Sequence, residues 1–272
     1  MVLGSLRLAE PERVVFERPP LVLAAFEVRF SNLPEVTDRD YVEPFRRAIE
    51  SDYPELALAN QVTVQFDLTS GQPRQLQTVQ WRFTDKDANW TVVLAPDFLT
   101  LEARRYGHFA EFTSRLRSLL TALSEHVRPK VGTRLGLRYV NEIRVGTEGL
   151  GSIVRPEVLG LLSVAEFEEH VAHSVQEVTL RFPEDQSIQV RHGFFPDGST
   201  VQPPPGKQPP SGPFYLLDFD ASRAFSAPAL LEVEPDAIGE YVERYHDEIE
   251  KIFRWSMTDE FTESLGVHGR DG

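Results

Sequence analysis

The sequence predicts an α+β fold in which mainly antiparallel sheets pack against two long amphipathic helices. Three observations carry it. Strand-like segments follow one another across turns of a few residues, and connections that short impose antiparallel pairing. Each half of the chain closes with a long segment whose apolar residues recur at helical spacing, the layered arrangement of an α+β protein. The first half also runs strand–helix–strands–helix–strand, the order of an elaborated ferredoxin-like layer, and the second half is a looser echo of it.

In the first half, 16–145, Pro19-Pro20 give an extended entry to a strand at 21–30, LVLAAFEVRF. Tyr41, Phe45, Ala48 and Ile49 share one face of a short helix near 41–51, where Pro44 fits only the first turn. QVTVQFDL (61–68), QTVQWRF (77–83), NWTVVLA (89–95) and FLTLEAR (98–104) alternate as strands do. Asp85–Ala88 and Pro96-Asp97 supply turn chemistry between them. Phe109, Phe112, Leu116, Leu119, Leu120, Leu123 and Val127 predict an amphipathic helix over 107–127, stopped by Pro129. A strand at 134–145 completes this unit.

The second half, 153–266, follows the glycine-containing stretch GTEGLGS at 146–152, and the halves are either two units or one continuous domain. Ser163-Val164-Ala165-Glu166 reads as a capping box opening a short helix. VAHSVQEVTLRF (171–182) and SIQVRHGFF (187–195) read as strands, and PDGSTVQPPPGKQPPSGP (196–213) as a mobile, proline-rich loop. Its Pro210-Ser211-Gly212-Pro213 fits P-x-x-P, either a groove-docking motif or an exposed connection. FYLLDFD (214–220) is the last sheet strand expected. Ile238, Tyr241, Val242, Tyr245, Ile249, Ile252 and Phe253 mark a helix over 236–256. Thr258 caps a final helix reaching Leu265, with a loose tail beyond Gly266.

A chain of 272 residues has enough surface to bury a proper core. Its net charge of −14 argues against a nucleic-acid backbone or an anionic membrane as partner. Absence of cysteine removes disulfides, thiolate metal sites and cysteine nucleophiles. With no signal-peptide pattern and no long apolar run, a cytoplasmic location is expected. G-x-S-x-G, Walker, G-x-G-x-x-G, H-E-x-x-H and C-x-x-C motifs are all missing, and no cofactor is expected.

Arg134 to Arg144, RLGLRYVNEIR, is the most unusual stretch. Alternation puts Leu135, Leu137, Tyr139, Asn141 and Ile143 on one face and Arg134, Arg138, Glu142 and Arg144 on the other. In the strand at 21–30, Glu27 and Arg29 share a face with Leu21, Leu23 and Ala25. Ions on such strands require partners. Glu27, Arg134, Arg138, Tyr139 and Asn141 are therefore candidate ligand-binding residues, with Arg138 gripping a carboxylate or phosphate through its planar fork. The architectural alternative pairs Arg138 with Glu27 or Glu102, bracing sheet to helix, while Asn141 caps backbone groups.

PPLVLAAFEVRF, the W-x-F at Trp81 to Phe83, LTLEARRYGHFAEF, RLGLRYVN, and YHDEIEKIF followed by Thr258 occur in one order along nearly the whole chain. The set resembles a sporadically distributed family of uncharacterised bacterial proteins with an R-x-G-L-R-Y-x-N signature strand, matched here by Arg134, Gly136, Leu137, Arg138, Tyr139 and Asn141. The resemblance implies no particular catalytic residues. It does imply the patchy occurrence of accessory components in defence or toxin–antitoxin neighbourhoods.

Other candidates have simpler readings beside them. Glu166, His170 and His173 recur at i, i+4 and i+7, which on one helix would present three metal ligands; Glu166 serves equally as the capping-box acid. Asp218 and Asp220 share a strand face and suit a divalent ion, or simply lead into a turn. His246, adjacent to Asp247 on the long helix, is expected at a solvent edge or in an interhelical hydrogen bond.

The acidic surface, the missing catalytic motifs and the many strand edges point to a non-enzymatic accessory protein that binds a protein or peptide, in a regulatory, chaperone-like or neutralising role. The alternative is a small-molecule or nucleotide binder, or an enzyme, that clamps an anion with Arg134 and Arg138. A tandem ferredoxin-like RNA binder fits the strand order but not the charge.

Overall fold

A computed structural model describes residues 4–12, 14–66, 73–168, 170–201 and 210–270. The chain begins with β1 (Val14–Phe16), β2 (Leu21–Phe30) and α1 (Arg39–Ile49). A meander follows, of β3 (Glu55–Phe66), β4 (Pro73–Thr84), β5 (Trp90–Ala95) and β6 (Phe98–Ala103). Then comes α2 (Phe109–Ala122), prolonged by a π turn over Leu123–Val127. β7 (Gly132–Arg144) leads through two one-turn helices, α3 (Pro156–Leu159) and α4 (Ala165–Glu168), to a second meander. This comprises β8 (Gln176–Arg181), β9 (Gln186–Phe195) and β10 (Phe214–Ala224). The chain closes with α5 (Pro235–Ser256), α6 (Asp259–Ser264) and β11 (Val267–Arg270).

Nine strands form one antiparallel sheet in the order β3-β4-β5-β6-β2-β7-β10-β9-β8. The α+β class expected from the short connections is the class observed. Divided between α2 and β7, which moves β7 out of the half expected at 16–145 and into the second, the chain has strands of both halves in this sheet, because β2 pairs with β7 at its middle. Reading outward from that joint, each half repeats one plan: a first strand beside the last strand of its own meander, then a long closing helix. The stretch β7-β2-β6-β5 has the strand order of a ferredoxin-like layer, with β4 and β3 added beyond it. The register is symmetric about Phe26 opposite Leu137, since Ala25 lies opposite Arg138 and Glu27 opposite Gly136.

The helices cover one face. Phe26, Val28, Leu135, Leu137, Leu217 and Phe219 of the sheet pack there against Phe45 of α1, Leu116 and Leu119 of α2, and Ile238, Val242 and Ile249 of α5. Trp81 fixes the 3-10 turn at Pro34–Thr37 to this core, its indole N–H donating to Val36 O at 2.7 Å. The opposite face bears the charged residues and a small apolar cluster of Leu23, Val140, Phe214 and Leu216.

Several local expectations change, each for a tertiary reason. Leu21 and Leu23 do not share a face: the β2–β7 register shifts between them, so Leu21 joins the helix-covered core and Leu23 the opposite cluster. Pro44 lies inside α1, not in its first turn, because Asp38 caps the helix earlier and accepts from Asp40 N. The strand predicted over 171–182 narrows to β8. Gly193, at φ 155°, allows the chain before β8 to lie close against β9; a Cβ there would fall 1.9 Å from Ser174 O. The tail expected to be loose is instead β11, paired with β1. Of the proline-rich loop expected at 196–213, residues 202–209 lie outside the described residues, as do 67–68 of the strand predicted at 61–68. The flanks of the loop are held: Arg144 donates to Ser199, Pro210 and Gly212 carbonyls, and Glu142 accepts from Thr200 Oγ1 and Val201 N.

His192 of β9 lies on the covered face with Nδ1 2.8 Å from the Tyr215 hydroxyl, and burial lowers its pKa from the usual 6.5. The unfolded chain therefore takes up a proton first. The stability gained by keeping His192 neutral is complete above about pH 6.5 and is lost as the pH falls below it. Melting temperature should drop on acidification below that point and drop less steeply in His192→Gln; equal slopes would remove His192 as the cause.

Candidate functional site

β7 separates the sequence candidates onto opposite faces of the sheet, so they form two sites rather than one. Arg134 and Arg138 point to the uncovered face with Glu27, while Tyr139 and Asn141 point toward the helices.

On the uncovered face, Asp218 of β10 is the centre. Its side chain is only 5% exposed, and it accepts from Arg138 Nε and Nη2, both at 2.7 Å, and from Arg191 Nη2 at 2.6 Å. The β7–β10–β9 registers put these residues together: Arg138 lies opposite Asp220, and Arg191 opposite Asp218. Hydrogen bonding to Asp218 chiefly holds Arg138 in its charged form, outweighing the burial that opposes it. Burial raises the Asp220 pKa, although Arg134 and Arg138 pull it the other way. Arg134 reaches Glu27 at 2.8 Å and Asp220 at 3.6 Å. Gly136 makes room for this, since a Cβ there would stand 2.9 Å from Arg134 Nη1. Glu27 also accepts from Arg29 Nε at 2.8 Å.

The bracing expected from Arg138 to Glu27 or Glu102 is thus replaced. Arg138 pairs within the sheet, Glu27 takes Arg134, and Glu102 lies 3.8 Å from Arg82. The charged stripe faces away from the helices and braces strand to strand.

On the covered face, a partly open cleft with a cavity volume of about 140 Å³ lies between the sheet, α5 and the N-terminal segment. Tyr139 and Asn141 of β7 meet Phe219 of β10, and α5 contributes His246, Ile249 and Phe253, three positions that share a helical face. The Tyr139 hydroxyl lies 3.0 Å from His246 Nδ1 and 3.5 Å from the Tyr106 hydroxyl. His246 stacks on Phe109 with centroids 3.8 Å apart and planes 7° from parallel, which fixes the imidazole plane. Asn141 donates to Leu217 O at 3.2 Å, bridging to β10 instead of capping a strand end. His108 lines the cleft and caps α2, its Nδ1 accepting from Glu111 N at 3.1 Å.

The N-terminal segment that walls this cleft is latched to α5. Lys251 and Glu248, both buried, lie 2.9 Å apart. Lys251 also pairs with Glu10 at 2.7 Å, and Glu248 accepts from Ser5 Oγ and Leu6 N. Burial alone would lower the Lys251 pKa, but hydrogen bonds to Glu10 and Glu248 leave it raised.

The sequence places His246 at a solvent edge or in an interhelical hydrogen bond, whereas the structure buries it with Nδ1 3.0 Å from the hydroxyl of Tyr139 on a strand. The signal was present: Val242, His246, Ile249 and Phe253 follow the spacing of one apolar helical face. Tyr106 and Arg191 gave no local signal and Phe109 showed only as an apolar position of its helix, because only long-range packing brings them to these sites.

The metal candidates disperse. α4 ends at Glu168, so Glu166, His170 and His173 do not share a helix, and exposed His173 packs edge-on against Phe195. α4 starts at Ala165, which puts Val164 and not Ser163 in the cap position, and the Ser163 hydroxyl donates to Gly160 O. Asp218 is engaged by two arginines and Asp220 faces Arg134. Among the described residues, no group of three or more His, Asp or Glu is placed to hold a metal ion, and no helix is long and apolar enough to cross a membrane. No protein-family model matches the chain, and no curated protein matches it.

Asp218→Ala would leave two guanidiniums side by side without their shared counter-ion. A loss of about 2–3 kcal/mol is expected by chemical denaturation, because a buried partner is removed from half-exposed arginines. Arg138→Lys, which keeps charge but not the fork, should cost about 1 kcal/mol. No change in either variant would mean that the network does not hold the strands.

Proposed function

We propose that this protein binds a small organic molecule in the cleft floored by Tyr139 and His246. What carries the reading is a buried phenol–imidazole pair at the base of an aromatic-walled recess. A concave site where aromatic walls meet converging polar groups is a usual form of small-molecule pocket, and here the carboxylates of Glu10, Glu12, Asp247 and Glu250 also line the cleft. Tyr106, Tyr139 and Phe253 put aromatic surface on the wall of the recess, and the Tyr139–His246 pair marks its polar base. The anion-clamp alternative on Arg134 and Arg138 has less support, since Asp218 and Glu27 already occupy those guanidiniums.

A second reading is favoured by a separate observation. The edge strand β8 is exposed and carries Val178, with Val175 exposed just before it, the kind of edge that accepts another strand. This suits a non-enzymatic accessory protein with a protein or peptide partner. The family resemblance would put such a role, regulatory, chaperone-like or neutralising, in a bacterial defence or toxin–antitoxin setting.

The cleft reading is tested by binding of the apolar dye ANS, followed by displacement with a panel of aromatic amines, phenols and nitrogen heterocycles. The expected result is saturable displacement by at least one class, weakened about tenfold in Tyr139→Phe and His246→Leu while Arg138→Lys binds as wild type. Displacement unaffected by Tyr139→Phe and His246→Leu, or no displacement by any class, would overturn it.

A further inference from the structure

β8 forms one end of the nine-stranded sheet, and its sequence is its own complement. We propose that two copies of this chain associate by pairing β8 with β8, antiparallel about Thr179, so that their sheets become continuous.

The register follows from the strand itself, QEVTLR. A two-fold axis at Thr179 sets Glu177 opposite Arg181 of the second copy, and Arg181 opposite the second Glu177. It sets Val178 opposite Leu180 twice. Alternation puts both charge pairs on the uncovered face and both aliphatic pairs on the covered face. A two-fold interface requires a patch that matches itself, and this strand matches itself in charge and in apolarity.

The surroundings support the same occupant. Val178 is 49% exposed although its partner on β9, Val190, is buried, so the helical layer stops short of the last strand. Glu177 is held on the uncovered face by Gln189 Nε2, which donates to it at 2.8 Å. Leu161, Val164 and Phe167, all exposed, lie in the segment leading to β8 and add apolar surface at this end of the molecule. Edge charges normally deter pairing between sheets. Here the two signs stand symmetrically about Thr179, so self-pairing is the arrangement they permit. A contact built on one short strand is small, and a weak, concentration-dependent dimer is the form it takes.

Sedimentation velocity on the full chain, from low micromolar to near-millimolar protein, tests this. Wild type should move from the monomer to the dimer coefficient across the series. Arg181→Glu and Glu177→Arg each place like charges opposite one another and should weaken association about tenfold. The double exchange E177R/R181E restores opposite charges and should restore the dimer, with melting temperature unchanged throughout. A wild type that stays monomeric, single variants that associate like wild type, or a double exchange that fails to recover the dimer would each overturn the proposal. The first of these outcomes would leave the edge to a strand of some other protein.

Discussion

The antiparallel pairing of β2 with β7 is the contact on which the rest of the molecule depends. It puts Phe26 opposite Leu137 in the middle of the core and joins the two meanders into one sheet. It also decides what each face of β7 meets. One face is pressed against α5, which delivers His246 to Tyr139; on the other, uncovered face Arg138 meets Asp218 of the neighbouring strand β10. A register slip of one residue would exchange these surroundings, burying guanidiniums under helices and turning the cleft floor outward.

The elements that local pattern specifies were legible in the chain. Both long helices and most of the sheet strands announce themselves by period, and the closely spaced turns give the antiparallel class. What escaped depends on partners distant in sequence. The register shift near Leu21 exists because of β7, and β11 is a strand only because β1 lies beside it. Asp218 and Asp220 were visible as a pair on one strand face. Their partners were not, because the residue bonded to Asp218 lies 80 positions away on β7 or 27 away on β9. Tyr139 and Asn141 were grouped with the arginines despite an alternation that already placed them on the other side.

The ion network is neither a deeply buried salt bridge nor a set of free surface charges. Arg138 and Arg191 are 37% and 39% exposed, so water screens them, while the carboxylate they share is buried. Pairs of this kind contribute modestly to stability and strongly to register, because a shifted strand leaves a buried acid without its donors. On this face β7, β10 and β9 therefore carry their alignment code in charge, and on the other face in aromatic and aliphatic volume.

The repeated plan of the two halves has a consequence of its own. In the ferredoxin-like order, the strand after the second helix returns to flank the first strand. For the first half that strand is β7, and for the second half the same place is taken by β2. Each half thus borrows its closing strand from the other. If the chain were severed between α2 and β7, both fragments would present a bare flank shaped for its lost neighbour, and recovery of the native protein would require the pieces to meet.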